Sequence, residues 1–431
     1  MSENHKKVGI AGAGIVGVCT ALMLQRRGFK VTLIDPNPPG EGASFGNAGC
    51  FNGSSVVPMS MPGNLTSVPK WLLDPMGPLS IRFSYFPTIM PWLIRFLLAG
   101  RPNKVKEQAK ALRNLIKSTV PLIKSLAEEA DASHLIRHEG HLTVYRGEAD
   151  FAKDRGGWEL RRLNGVRTQI LSADALRDFD PNLSHAFTKG ILIEENGHTI
   201  NPQGLVTLLF RRFIANGGEF VSARVIGFET EGRALKGITT TNGVLAVDAA
   251  VVAAGAHSKS LANSLGDDIP LDTERGYHIV IANPEAAPRI PTTDASGKFI
   301  ATPMEMGLRV AGTVEFAGLT AVPNWKRAHV LYTHARKLLP ALAPASSEER
   351  YSKWMGFRPS IPDSLPVIGR ATRTPDVIYA FGHGHLGMTG APMTATLVSE
   401  LLAGEKTSID ISPFAPNRFG IGKSKQTGPA S

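Results

Sequence analysis

Cysteine is almost absent: the chain of 431 residues holds only Cys19 and Cys50, so a disulfide framework is excluded. Cys19 falls in the first predicted helix, where a small buried hydrophobe is the usual role. Zinc-ligand spacing is missing too. His383 and His385 flank a glycine, but no Cys, Asp or Glu stands at ligand spacing beside them, and no metal is expected. Lys and Arg outnumber Asp and Glu by 47 to 37, a net charge of +10. These cations form no basic block, which reads as diffuse surface charge and excludes nucleic acid as a partner.

No apolar stretch is fit to span a bilayer. Residues 78–100, PLSIRFSYFPTIMPWLIRFLLAG, come nearest, and Arg82, Pro87, Pro91 and Arg95 interrupt them. Trp92, Phe83, Phe86 and Phe96 among arginines suit peripheral contact with a membrane interface; a buried loop and helix of a second domain is the alternative. Residues 1–7 are polar, with no room for a signal peptide's apolar region. The expected location is cytoplasmic, with residues 78–100 set against the inner face of the cytoplasmic membrane.

What is present is an ordinary globular composition, 42% apolar and 19% charged, in a chain long enough for two cores interleaved in sequence. Residues 8–11 read as a buried strand, 15–28 as a helix with an apolar stripe, and 31–35 as a second strand, a βαβ opening. A small-residue loop over 36–57 and the aromatic segment follow, then one long amphipathic helix over 104–130. Strands at 140–145 and 190–194 bracket a charged helix at 149–163. Asn201-Pro202 starts a helix at 203–215 that Gly217-Gly218 ends. Strands are expected at 219–221, 225–229, 235–240 and 247–253, with a turn at Gly243. Further short strands between 270 and 316 fit an antiparallel sheet, and 325–339 reads as a helix. The end repeats the opening: a strand at 377–380, the turn FGHGHLGMTG, and a helix at 391–402 stopping at Gly404. A polar tail, 419–431, is expected to be loose.

GAGIVG, residues 12–17, lies between the first strand and helix, and Asp35 ends the next strand. This is the dinucleotide fingerprint in its proper context. Gly12 allows the tight turn, Gly14 lets backbone approach a pyrophosphate, and Gly17 brings helix against strand. Ile15 and Val16 open the helix whose free N–H groups meet the phosphates. Asp35, followed by Pro36, is set to accept ribose hydroxyls. The fingerprint alone does not separate FAD from NAD, since both carry an ADP half.

Other segments decide. EGASFGNAGCFNG, residues 41–53, resembles the loop after the first βαβ unit in the FAD-dependent D-amino acid oxidase superfamily, with bacterial D-amino acid dehydrogenases the nearest likeness; Ser44, Asn47, Ala48 and Gly49 match. VVAAGAHS at 251–258 resembles the family's ATGAWS, His257 standing where Trp is frequent. ERGYH at 274–278, WMGFRPSIPDSLPVIG at 354–369 and GHGHLGMTGAP at 382–392 resemble its remaining signatures in the same order.

The resemblance implies an α/β protein: a Rossmann-like FAD-binding domain from 1–75, 185–262 and 355–418, and a second, α+β substrate domain with a mixed or antiparallel sheet from 76–184 and 263–354. It implies noncovalent FAD, although Cys50 offers a thiol after the Asn-Ala-Gly run. Val225, Ala254 and Gly255 are expected at the nucleotide. Gly384, His385, Leu386, Gly387, Met388 and Thr389 precede a helix, so their N–H groups can face the flavin N1–C2=O edge. Arg358 in GFRP corresponds to the arginine that binds the substrate carboxylate in bidentate fashion. Tyr277 is a second candidate donor to that carboxylate, with His278 beside it, and His385 is favoured over His383 to face flavin or substrate.

The implied activity is oxidation of a small amino acid, D-amino acid dehydrogenase first: hydride passes from the α-carbon to flavin N5, and the imino acid hydrolyses to a 2-oxo acid. Electrons pass on to a quinone or respiratory carrier. No general base is evident, which agrees with hydride transfer from a neutral amine. Two alternatives stay open: a dehydrogenase or oxidase of secondary or cyclic amines such as hydroxyproline, proline, sarcosine or glycine, and a non-catalytic flavoprotein subunit of an electron-transfer complex.

Overall fold

The runs KVGIA, KVTLI, AAVV and VIYAF are short, apolar and β-rich, the composition of strands covered on both faces. In the computed structural model, which describes residues 6–61, 77, 79–344 and 350–419, they form the centre of a six-stranded sheet. Its order is Glu219–Val221, Lys30–Ile34, Lys7–Ala11, Ala249–Val252, Val377–Phe381 and Val367–Arg370. The strands are parallel up to the last, which runs antiparallel to its neighbour. Helices Ile15–Gln25, Pro202–Ala215 and Gly387–Ala403 cover one face, where Val18 and Leu22 share a core with Leu209, Met388 and Ala395. An antiparallel sheet of Val225–Glu231, Ala234–Thr240 and Gly243–Ala246 covers the other, Leu235 and Ile238 packing with Ala250 and Val252.

The second domain is built on a mixed nine-stranded sheet. Eight strands run in the order Tyr351–Ser360, Asp272–Ile281, Gly307–Phe316, Phe299–Met304, Thr292–Asp294, His141–Tyr145, Lys189–Ile193 and Gln169–Leu171, and Leu79–Ile81 pairs alongside Gly307–Phe316. Pairing is antiparallel except where Thr292–Asp294 meets His141–Tyr145 and where Leu79–Ile81 joins. Helix Lys326–Leu338 packs Leu331 and Ala335 against Ile279 and Val310.

Several expectations need correction. The single helix expected over 104–130 is two, Pro102–Ile116 and Thr119–Glu129. Pro121 lacks the N–H that would bond to Lys117, and its ring would clash there, so the helix breaks and restarts with the proline in its first turn. The strand expected at 247–253 shortens to Ala249–Val252, and 243–246 is a strand of the other sheet. Asp248 stands between them, its carboxylate accepting from the Lys7 N–H at 2.7 Å. Lys189–Ile193 and Tyr351–Ser360 belong to the nine-stranded sheet. The helix expected from 391 begins at Gly387.

Residues 79–100 supply a short strand, a turn and helix Phe86–Ala99. Ile89 and Trp92 are buried with Phe316, and Trp92 stacks on Phe96. The exposed apolar residues are Phe83, Phe86, Ile94, Leu97 and Leu98, and Trp92 belongs to the buried face of the helix. Among the described residues no helix is long and apolar enough to cross a membrane. The expectations for residues 62–76, Pro78 and the tail 420–431 lie outside the described residues.

Candidate active site

The turn after the first strand is as tight as the fingerprint requires. Gly12 has φ +111°, and a Cβ there would lie 2.4 Å from the Ala253 carbonyl oxygen. A Cβ on Gly17 would lie 1.9 Å from the Gly12 carbonyl oxygen, so Gly17 seats the helix on the turn. Asp35 braces the same turn: Oδ2 accepts from the Ala13 N–H at 2.9 Å and Oδ1 from the Asn37 N–H at 2.9 Å. Ser44 Oγ accepts from the Ile15 N–H at 3.0 Å, joining the small-residue loop to the helix start.

That loop is held from the second domain. Arg309 Nη1 donates to the carbonyls of Phe45 (2.9 Å) and Asn47 (2.7 Å), and Thr302 Oγ1 donates to that of Ala48 (3.0 Å). His278 Nδ1 donates to the Gly46 carbonyl at 3.1 Å, its ring stacked on Trp354 at 5.0 Å. Burial, helped by Arg309, pulls the His278 pKa down to about 3, so the ring is neutral. From the first domain, Thr389 Oγ1 donates to the Cys50 carbonyl (3.0 Å) and accepts from the Asn52 N–H (3.2 Å). Asn47, foreseen as a ligand, also bonds locally through Oδ1 to the Gly49 N–H at 2.8 Å.

Between the two sheets lies one cavity of about 1450 Å³. Its walls bring together Gly12, Gly14, Ile15, Val16, Asp35, Pro36, Ser44, Asn47, Ala48, Val225, Ala254, Gly255, Gly384, His385, Leu386, Gly387, Met388 and Thr389, along with Arg358 and Tyr277. Gly17 and Gly49 are not on the wall; the Gly49 carbonyl accepts from the Thr199 N–H at 2.7 Å. Cys50 is on the wall, but burial raises its thiol to about 12, which keeps it protonated and a poor nucleophile.

Arg358 sits on strand Tyr351–Ser360, with its guanidinium across Gly276 on the neighbouring strand. Its one hydrogen bond among the described residues is long, 3.4 Å from Nη1 to the Thr313 carbonyl. Among the described residues no carboxylate pairs with it directly. Glu274 stands opposite in register and accepts from Ser360 Oγ at 2.6 Å; burial pushes its carboxyl above the usual range, against the pull of Ser360 and Arg358.

Tyr277 departs from expectation. Its hydroxyl donates to Glu315 Oε2 at 2.6 Å and accepts from the Asn324 N–H at 2.9 Å, inside the second-domain core. The donor foreseen for a substrate carboxylate is already engaged. His385 faces the cavity, and burial followed by the field of Arg358 lowers its pKa to about 4. His383 is shared with Thr394 Oγ1 at 2.9 Å, a structural histidine. Sequence reasoning gave no role to Glu274, Trp354, Arg309 or Thr302; the first two open the ERGYH and WMGFRPSIPDSLPVIG signatures, whereas no local motif marks Arg309 or Thr302. Among the described residues no His, Cys, Asp or Glu cluster fits a metal.

The residues fit a dinucleotide that carries a second ring system. Helices Ile15–Gln25 and Gly387–Ala403 both begin at the cavity, without a side-chain cap from the residue before them and without an acid in the first turn. Their N–H groups and dipoles favour anionic or electron-rich groups. The volume exceeds what a nucleotide alone needs. The fold and cavity define a dinucleotide-dependent oxidoreductase.

Comparison with known proteins gives the family. The profile of the DAO family, FAD dependent oxidoreductase, matches residues 7–401, and the chain belongs to that family. It is 44% identical to a protein named D-amino-acid oxidase of Bradyrhizobium diazoefficiens over 96% of this chain and 99% of that one. It is 32% identical to D-amino acid dehydrogenase 2 of Ralstonia nicotianae over 95% and 99%. Glycine oxidase of Geobacillus kaustophilus shares the fold, with a TM-score of 0.72 at 20% identity over 97% of this chain and 100% of that one. FAD is the cofactor.

Proposed function

We propose that the protein oxidises a small amino acid, a D-amino acid first, to the imino acid, which water then converts to the 2-oxo acid. The observation that carries this reading is Arg358, a guanidinium on the cavity wall with one long hydrogen bond and no ion pair among the described residues. Its planar fork matches a carboxylate. When bound, FAD supplies at N5 the acceptor for the hydride leaving the substrate α-carbon. The chain's own groups orient and stabilise: Arg358 fixes the carboxylate, neutral His385 lines the cavity without adding charge, and the Gly387–Ala403 N-terminus supports charge on the cofactor's edge. Gly12, Gly14, Asp35 and Ser44 would hold the ADP half, and Val225, Ala254 and Gly255 would flank it. The names of both curated relatives support the substrate class.

For the acceptor, a quinone or other respiratory carrier at a membrane surface is the first reading. Phe86 and Leu97 line the cavity and are exposed, and Phe83, Ile94 and Leu98 extend the same apolar surface. Dioxygen is the second reading, favoured by the oxidase name of the relative with the higher identity.

Anaerobic bleaching of the purified flavoprotein by D-, L-, N-methyl and cyclic amino acids, followed by air, tests these statements. Bleaching by D-amino acids and slow recolouring in air is the expected result. Bleaching only by N-methyl or cyclic amines would move the substrate to secondary amines; fast recolouring would make the protein an oxidase. A flavin that no amino acid bleaches would leave a subunit that only relays electrons.

A further inference from the structure

The cavity wall carries a further guanidinium on an element remote from the strand of Arg358. Arg161, on helix Glu148–Leu163, lines the cavity and lies over the Trp158 ring at 4.5 Å. It makes no side-chain hydrogen bond or ion pair among the described residues, and its Nε is buried without a partner. The other charges around it are spoken for. Lys298 is 3.6 Å from Asp154, Asp154 also accepts from the Tyr145 hydroxyl at 3.0 Å, and Lys153 is 3.3 Å from Asp150. His141 is held between Asn52 and Thr293, and burial keeps it neutral. A half-buried guanidinium whose Nε is sealed off without a partner is costly unless an anion meets the group from the cavity.

Sheet register sets the spacing. Gly312, Phe299, Asp294 and Val144 lie in one cross-strand row. Arg358 reaches one end of that row through Thr313. Tyr145 adjoins the other end, and its hydroxyl accepts at 2.8 Å from Nε1 of Trp158, the ring beneath Arg161. Three strand spacings make about 14 Å. An extended five-carbon dicarboxylate, with a charge-assisted hydrogen bond of about 2.8 Å at each end, covers most of that length.

We propose that Arg161 is a second anion site that receives the distal carboxylate of an α-amino dicarboxylate whose α-carboxylate is held by Arg358. This rests on the amino-acid reading for turnover, but the site itself can be tested by binding alone. The probes are glutarate and pentanoate, titrated into the FAD-loaded protein and read by perturbation of the flavin absorbance. Glutarate is expected to bind at least ten-fold more tightly than pentanoate. Arg161→Gln should erase that difference and Arg161→Lys restore part of it. With substrates, the kcat/KM ratio of D-glutamate to D-glutamine should fall by the same factor in Arg161→Gln, through KM.

Equal affinities in the wild type, or a preference that survives Arg161→Gln, would overturn the site even if amino acids bleach the flavin. Glutarate binding that depends on Arg161, with no amino acid bleaching the flavin, would uphold the site and overturn the amino-acid reading instead.

Discussion

Gly276→Ala gives the sharpest test of how Arg358 is held. A Cβ at position 276 would lie 2.4 Å from Arg358 Cζ, 2.5 Å from Nη2 and 2.7 Å from Nε. Comfortable contact between such atoms needs about 3.5 Å or more, so the guanidinium must retreat by about 1 Å. The colliding atoms are the tip of a flexible side chain, so the strands need not separate and the fold should survive. The cost falls on ligand binding. Hydrogen bonds to charged groups are worth about 1.5–3 kcal/mol, which is about 10- to 150-fold in kcat/KM, and a misplacement of about 1 Å can alone reach about 100-fold.

The assay is kcat/KM for the best amino acid from the bleaching panel, with flavin content and thermal midpoint measured beside it. Gly276→Ala should keep its flavin and lose activity within that range. Arg358→Met should lose at least as much, and the double variant should fall little further, because both changes remove one interaction. A Gly276→Ala protein with full flavin and kcat/KM within about two-fold of wild type would refute the assignment of Arg358.

His383 is buried and its pKa is pulled down to about 4 by burial, whereas the unfolded chain takes up the proton near pH 6.5. Its contribution is therefore whole above about pH 6.5 and is lost as pH falls toward 4, by about 1.4 kcal/mol per pH unit; between pH 7.5 and 5.5 the urea midpoint of wild type should drop more than that of His383→Gln, and equal drops would contradict the assignment. Thr389→Val removes the bonds to the Cys50 carbonyl and Asn52 N–H, at about 1 kcal/mol each, so FAD should dissociate several-fold faster in a release assay read by flavin fluorescence. Phe83→Ser with Leu98→Ser changes side chains that are 94% and 49% exposed; sedimentation with anionic lipid vesicles should weaken while flavin content holds, and unchanged sedimentation would remove the membrane from the account of the acceptor.

The first domain was legible because its signals are local. Turn glycines, an apolar helix and an acidic strand end lie within residues 8–35, and the structure returns them with shifts of a few residues at element ends. The second domain was less so. YSKWMGFRPS becomes a ten-residue strand, yet its burial does not alternate and it contains Gly356 and Pro359, so neither period nor propensity marks it. Its position at the sheet edge, paired only with Asp272–Ile281, explains the tolerance of proline. The braces of the small-residue loop were hidden by distance: Arg309 bonds to Phe45 across 264 positions and Thr302 to Ala48 across 254.

Tyr277 is the instructive miss, because a signal for it was present. Successive side chains of a strand point to opposite faces. In ERGYH, Glu274, Gly276 and His278 share one face, and they meet Ser360, the Arg358 guanidinium and the loop carbonyl of Gly46. Arg275 and Tyr277 share the other, and both bond to Glu315. Once Gly276 is recognised as the seat of Arg358, alternation alone sends the Tyr277 hydroxyl away from the ligand. What alternation could not supply is the partner of Gly276, because the pairing of 276 with 356 and of 274 with 358 is a matter of register between strands about 80 residues apart. Register is also what spaces Val144 from Gly312 across one row of the sheet. The residues that bind are thus readable from the chain one face at a time, while the distance between them is a property of the folded sheet.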